Sequence, residues 1–118
     1  MTQNCREALI ELLFLSLYLD DHLSMAEDEM LNDALESLGW ESPEPREKFV
    51  PSAFAAARQA TSSLGETEEF VRSRADLIKR NGEEAAAITW LSKVLGADGI
   101  SPTESYFLGK LETRLFGT

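Results

Sequence analysis

The chain of 118 residues has a single cysteine, Cys5, and a single histidine, His22. One cysteine cannot form an intramolecular disulfide or complete a thiolate metal site, and one histidine excludes a site that needs two imidazoles. Such cysteine usage fits a reducing compartment, so we expect a cytoplasmic protein. Cys5 shares the helical spacing of Leu9 and Leu12, which predicts a small buried side chain rather than a reactive thiol.

Basic residues are too few for a nucleic-acid-binding surface. The chain has 11 Lys and Arg against 21 Asp and Glu, a formal net charge of −10. Proteins that bind nucleic acid usually present a basic face to the phosphates, so we expect no such partner and favour cations or basic proteins. Hydrophobic residues make up 43% of the chain, enough to form a core and to exclude a wholly disordered acidic protein.

No hydrophobic run is long enough for a membrane span. The densest one, from Leu9 to Leu19, is interrupted by Glu11 and Ser16 and is shorter than the roughly 20 residues that a transmembrane helix needs. The N-terminus shows no basic region followed by an apolar run and a small-residue cleavage site, so we expect no signal peptide. The run from Leu9 to Leu19 therefore predicts a core helix.

Apolar residues recur at three-and-four spacing, and no segment alternates strictly, which predicts a single all-α domain of six to seven helices over residues 1–118. The first helix, at about 4–19, is apolar on more than one face and should be the central rod. The others are expected from Ser24 to Gly39, at about 47–63 with a possible restart at Pro51, at about 67–80, from Asn81 to Gly96, and from Ser101 onward. Trp40 lies in a proline-containing linker, where it could either anchor a partner or fold back over the core.

An eight-residue acidic segment occurs twice. Residues 20–27 return as residues 97–104, in register with an offset of 77 residues. The matching pairs are Asp21 with Asp98, Leu23 with Ile100, Ser24 with Ser101, and Glu27 with Glu104. Each copy predicts a helix end, an acidic turn and a second helix that starts on a Ser-x-x-Glu capping box. Two similar helix pairs imply a core with pseudo-two-fold symmetry.

The aspartates of these turns are the candidate metal ligands. Capping accounts fully for the serines and glutamates, but Asp20 and Asp21 lie at the negative end of a helix dipole, where a cation would be favourable. An EF-hand is excluded because its glycine and bidentate glutamate are six positions apart, whereas Gly99 and Glu104 are five apart. An oxygen-rich site shared between the turns would suit calcium, magnesium or manganese. Its expected ligands are Asp20, Asp21, Glu27, Asp98 and Glu104.

The doubled pattern, a helix rich in Leu and Tyr followed by Asp-(Asp/Gly)-x-(Leu/Ile)-Ser-x-x-Glu and a second amphipathic helix, resembles the TerB-like tellurite-resistance family. Related domains lie at the N-terminus of certain membrane-anchored DnaJ-type co-chaperones. The resemblance implies an all-helical fold, metal binding by the acidic turns and a role in tellurite or other stress responses. The family's usual first turn is Ala-Asp-Gly, whereas this chain has Asp20-Asp21-His22.

The sequence shows no nucleophile arrangement and no glycine-rich phosphate loop, so we expect a protein that is not an enzyme. The first hypothesis is a metal-ion-binding or sensing domain of the stress-resistance type. The alternative is a protein-interaction module in which the acidic turns serve only as helix caps. Neither hypothesis fixes the oligomeric state or the identity of a partner.

Overall fold

The structure, a computed structural model, describes residues 2–20, 32–33, 35–96 and 101–116. Within these ranges all regular structure is helical and no strand occurs, which confirms the all-α prediction. The five helices with defined bounds are α1 (Gln3–Asp20), α2 (Arg46–Ala60), α3 (Leu64–Arg80), α4 (Glu84–Leu95) and α5 (Pro102–Phe116). Residues 35–38 are also helical. The pseudo-two-fold relation between helix pairs stays a prediction.

Helix α1 is the central rod, as its sequence predicts. Its side chains from Ala8 to Leu17 are buried except for the partly exposed Glu11, and Cys5 is fully buried. The helix packs most extensively against α2 and α3 and also contacts α4 and α5. The Cα radius of gyration is 13.2 Å, about the value for a compact chain of this length. None of the described helices is long and apolar enough to cross a membrane.

The connection between α2 and α3 is shorter than the sequence predicts. Helix α2 continues through Pro51 without a restart and ends at Ala60. Helix α3 begins at Leu64 rather than near residue 67, because the Ser63 side chain accepts a hydrogen bond from the backbone N–H of Glu66 at 3.1 Å. Ser63-Leu64-Gly65-Glu66 is therefore a further Ser-x-x-Glu helix start and not the helix-breaking segment that its glycine and serines suggest.

Asn81 was predicted to cap the N-terminus of the fifth helix, and this prediction is wrong. The residue caps the C-terminus of α3, where its Nδ2 donates to the carbonyl of Leu77 at 2.8 Å. Gly82 follows with a φ of +65°, a conformation common just after a helix end. Helix α4 then begins at Glu84, with Glu83 in the N-cap position.

The segment around Gly39 confirms one prediction and distinguishes between two alternatives for Trp40. Gly39 has a φ of +86° and directly follows helical residues 35–38, so it ends that helix as expected. The predicted start of the same helix at Ser24 lies outside the described residues. Trp40 folds back rather than pointing to solvent, since its ring is 5.5 Å from that of Phe49 and its Nε1 donates to the carbonyl of Glu44 at 2.6 Å.

Candidate functional site

Most of the predicted metal ligands lie outside the described residues. Asp21, Glu27 and Asp98 belong to this group, and so does His22. Asp20 is the last residue of α1. Glu104 alone is described with its side chain, so the distance between the two acidic turns, on which a shared metal site depends, stays a prediction.

Glu104 forms the capping box that the sequence predicts. Its Oε1 accepts a hydrogen bond from the backbone N–H of Ser101 at 2.9 Å, and its own N–H donates to the Ser101 Oγ at 3.1 Å. Pro102 occupies the first position of α5, where a missing N–H has no cost. Only 8% of Glu104 is exposed. The carboxylate therefore serves as a helix cap, and a further role as a metal ligand stays a prediction.

Across the described residues, no three His, Cys, Asp or Glu side chains are grouped so that they could hold a metal ion. A site with three such ligands would therefore need at least one from outside the described residues, and the shared site of the two acidic turns stays a prediction.

Among the described residues, the surface carries an apolar groove between α3 and α5, which we call the α3–α5 groove. Its volume is about 760 Å³. Helix α3 contributes Leu64 and Val71, α5 contributes Tyr106 and Phe107, and Leu19 near the end of α1 completes the apolar lining. Phe107 is buried, so it forms part of the floor, whereas Leu64 and Tyr106 stand exposed on the two helices.

Exposed apolar side chains concentrate at this groove. Four large hydrophobic residues are exposed within the described ranges, and three of them, Leu19, Leu64 and Tyr106, line it. Leu64 is 85% exposed and Tyr106 is 66% exposed. Single exposed apolar residues are common on soluble proteins, but a contiguous group marks an interaction surface or a ligand groove.

The two rims of the α3–α5 groove carry opposite charge. Glu68 lies on the α3 side, and Lys110 and Arg114 lie on the α5 side. The Lys110 ammonium is 5.1 Å from the centre of the Tyr106 ring, a cation–π contact that keeps the positive charge beside the apolar surface. The rims are thus electrostatically distinct, which would orient any partner that binds across them.

Arg114 also acts across the groove on α3. The pKa of the exposed Glu69 is lowered chiefly by its hydrogen bonds from Arg72, with a smaller contribution from the charge of Arg114. The positive charge of Arg114 on α5 therefore favours the ionised form of this carboxylate on α3.

Sequence reasoning missed this groove. Leu64 falls between the helices predicted at about 47–63 and about 67–80, so the sequence pattern places it on no helix face. The spacing of Ser63 and Glu66 could have placed Leu64 in a helix, because it matches the Ser-x-x-Glu capping boxes that begin at Ser24 and Ser101. Tyr106 follows Ser105 on α5, one position before the buried Phe107, and its exposure depends on tertiary packing.

Comparison with known proteins finds no relative of this chain. No protein-family model, no curated protein and no solved structure matches the chain. The resemblance to the TerB-like family therefore stays a prediction that rests on the two acidic turns.

Proposed function

We propose that this protein is a non-enzymatic protein-interaction module whose docking surface is the α3–α5 groove. The observation that carries the proposal is the convergence of Leu19, Leu64 and Tyr106, all exposed, on one groove. Covering these side chains would remove apolar surface from water, which stabilises a complex by about 25 cal/mol per Å² before the costs of association are subtracted.

The form of the groove favours a macromolecule over a small ligand. A small-molecule pocket usually encloses most of its ligand and orients it with a few fixed polar groups. Here the charged groups are the long, exposed side chains of Glu68, Lys110 and Arg114 on the rims. Two helices that flank an apolar groove suit the apolar stripe of a third helix, which would place its own charges against the rims.

Photo-crosslinking in living cells tests this proposal. A photoreactive phenylalanine analogue replaces Tyr106, and the matched control carries it at Ala55, an exposed position on α2. We expect a discrete adduct only from position 106, and we expect Leu64→Glu to abolish it because a charge would then lie on the apolar lining. Absence of an adduct from position 106, or equal adducts from both positions, would overturn the proposal.

We propose divalent-ion binding by the acidic turns as a second candidate function, in the cytoplasmic stress-response setting that the TerB-like resemblance implies. The observation that favours it is the in-register repeat of the acidic segment, which places Asp21 and Asp98 at matching positions. Calcium, magnesium or manganese would be held by Asp21, Glu27, Asp98 and Glu104, with Asp20 beside them.

Thermal melting tests the second candidate. A folded-state ion site should raise the melting temperature when chelator is replaced by saturating calcium, magnesium or manganese, since a ligand at 100 times its Kd stabilises by about 2.7 kcal/mol. The pair Asp21→Asn and Asp98→Asn should remove the shift, whereas Asp76→Asn, an exposed aspartate on α3, should keep it. A wild-type melting temperature that does not respond to millimolar ion would refute this function.

A further inference from the structure

We propose that the α3–α5 groove binds an amphipathic helix of a partner protein, whose backbone packs closely over Gly109 and whose acidic side chains, one turn apart, pair with Lys110 and Arg114. The inference rests on the proposed function, because it gives the chemistry of the partner for that same surface. It is supported by the direction of the groove, by a glycine inside α5 and by the charges on the two rims.

The groove runs lengthwise along its two helices. Residues from Thr103 to Arg114 line it on α5, and residues from Leu64 to Val71 line it on α3. At a rise of 1.5 Å per residue these stretches are about 16 Å and about 10 Å long. An apolar groove of two to three helical turns matches the apolar stripe of a helix. No strand occurs among the described residues, so a partner strand has no sheet edge to join there.

Gly109 marks where a partner backbone would come nearest. It lies inside α5, is exposed and lines the groove, although glycine is less favourable than alanine in a helix interior. Its φ is not positive. Apart from its chain neighbours and the backbone of its own helix, no atom of the described residues lies within 4 Å of the position that a Cβ would occupy. Neither backbone conformation nor packing against these residues therefore requires a glycine, whereas close approach of a partner backbone would.

Lys110 and Arg114 define the charge on one flank of the partner helix. They are four residues apart, so they lie one turn, about 6 Å, apart along α5, and both are exposed on the rim of the groove. Arg72 and Arg74 of α3 each form an ion pair within the chain, whereas neither Lys110 nor Arg114 forms one with any described residue. Two carboxylates at positions i and i+4 of a helix lying along α5 have the same spacing and would pair with both cations.

Glu68 defines the opposite flank. It is an exposed carboxylate on the α3 rim, so it favours a basic side chain of the partner. A helix with acids on the α5 side and bases on the α3 side has little net charge, and the net charge of −10 on this chain does not repel it. An anionic membrane surface would meet both Glu68 and that net charge, and is therefore disfavoured as the occupant.

A designed peptide tests this chemistry. The probe is a fluorescently labelled peptide of about 16 residues with leucines at three-and-four spacing, two glutamates four residues apart on one flank and two lysines on the other. A lactam bridge on its outer face keeps it helical, since short free helices are marginal in water. We expect saturable binding with a Kd below about 100 µM by fluorescence anisotropy. Replacing both glutamates by glutamine should weaken binding about tenfold. Absence of binding up to about 1 mM, or equal binding of the glutamine peptide, would overturn the inference.

Charge exchange identifies the rim. Lys110→Glu combined with Arg114→Glu should raise the Kd of the glutamate peptide at least about tenfold, and a peptide with lysines at the two glutamate positions should bind this variant within about threefold of the original Kd. The matched control is Lys79→Glu with Arg80→Glu, which makes the same change in net charge at exposed positions of α3 outside the groove lining and should leave the Kd unchanged. If the lysine peptide fails to recover binding, the proposed pairing is refuted.

Gly109→Leu separates docking from folding. Leucine has a higher helix propensity than glycine and the site has open space, so the variant should melt roughly 2 to 5 °C above wild type. The same side chain would occupy the space of the partner backbone, and the Kd of the peptide should rise at least about tenfold. Ser105→Leu, at an exposed position of α5 outside the groove lining, is the control and should keep the Kd. A Gly109→Leu variant that binds as tightly as wild type would contradict the close approach at this residue.

Failure of this inference and failure of the proposed function give different results. Proteolysis and mass spectrometry of the adduct formed at position 106 identify the partner segment. If the adduct depends on Leu64 but the segment comes from a second copy of this chain, or lacks acids four residues apart beside an apolar stripe, only the inference is refuted. If position 106 forms no adduct, the proposed function falls as well.

Discussion

The carboxylate of Glu11 on α1 accepts a hydrogen bond from Arg74 Nη2 on α3 at 2.8 Å. Both side chains are largely buried, with 17% of Glu11 and 27% of Arg74 exposed. The guanidinium carbon of Arg74 also lies 3.8 Å from the centre of the Phe70 ring. Arg74 Nη1 donates a hydrogen bond to Ser73 Oγ. This pair ties the central helix to the helix that forms one side of the α3–α5 groove.

Glu11→Gln should lower the free energy of unfolding by about 1 to 2 kcal/mol, because it leaves the partly buried guanidinium of Arg74 without its counter-charge. Urea denaturation measures the change. The control is Glu69→Gln, which breaks the exposed pair of Glu69 with Arg72 and should have little effect. Equal losses from both variants would show that the partial burial of the Glu11 pair does not matter.

Glu11 also illustrates what the sequence could and could not predict. In the sequence it interrupts an otherwise apolar run that predicts a core helix, and α1 is buried as predicted. Its partner Arg74 is 63 residues away, so no local pattern connects the two. Helix type and the burial of α1 follow from periodicity, whereas pairs between distant helices depend on how those helices pack.

Local capping signals predicted one helix start correctly and another incorrectly. Ser101, Pro102 and Glu104 agree with one another, and the predicted helix start is confirmed. Asn81 was misassigned because asparagine suits both ends of a helix. Gly82 follows with a positive φ, which indicates that Asn81 lies at the C-terminal end of α3. The α3–α5 groove could not be predicted, since exposure of Leu64 and Tyr106 is a property of the assembled fold.

Gly39→Ala should destabilise the protein by about 1 kcal/mol, because a residue with a Cβ is strained at a φ of +86°. The added methyl would lie 3.5 Å from Arg6 Nε, an ordinary contact, so the backbone is the source of the cost. Urea denaturation again provides the measurement. Gly65→Ala is the matched control, since Gly65 is helical without a positive φ, and its stability should be unchanged or slightly raised. If Gly39→Ala leaves the free energy of unfolding unchanged, the positive φ at this position is contradicted.

Ser16→Ala should raise the free energy of unfolding by about 1 kcal/mol. The side chain is 1% exposed within the core helix α1, and its Oγ has no hydrogen-bond partner among the described residues. An unsatisfied buried hydroxyl costs about 1 to 3 kcal/mol, and alanine removes it while leaving only a small void. The control is Ser105→Ala at an exposed position of α5, where only the higher helix propensity of alanine contributes to the stability. If Ser16→Ala gains no more than Ser105→Ala, the hydroxyl is not a source of instability.

The thiol of Cys5 should react slowly and should make stability fall at high pH. Burial raises the pKa of this thiol above its ordinary value of 9.0, and the neighbouring Glu83 carboxylate raises it further. As the pH passes about 9, the unfolded chain releases the thiol proton while the folded chain keeps it, so the free energy of unfolding decreases. This decrease between about pH 8 and 10 should be smaller in Cys5→Ala than in wild type.

Reaction with a disulfide reagent at neutral pH measures the same environment directly. The fully buried Cys5 should react at least about 100 times more slowly in the native protein than in guanidinium, since the thiolate is the attacking species and opening of the fold must come first. The control combines Cys5→Ala with Ala55→Cys, which places a thiol on the exposed face of α2 and should react at nearly the unfolded rate. Rapid labelling of the native wild type would mean that the N-terminal end of α1 opens readily. In that case the contacts of α1 near Cys5 would contribute little to the stability of the core.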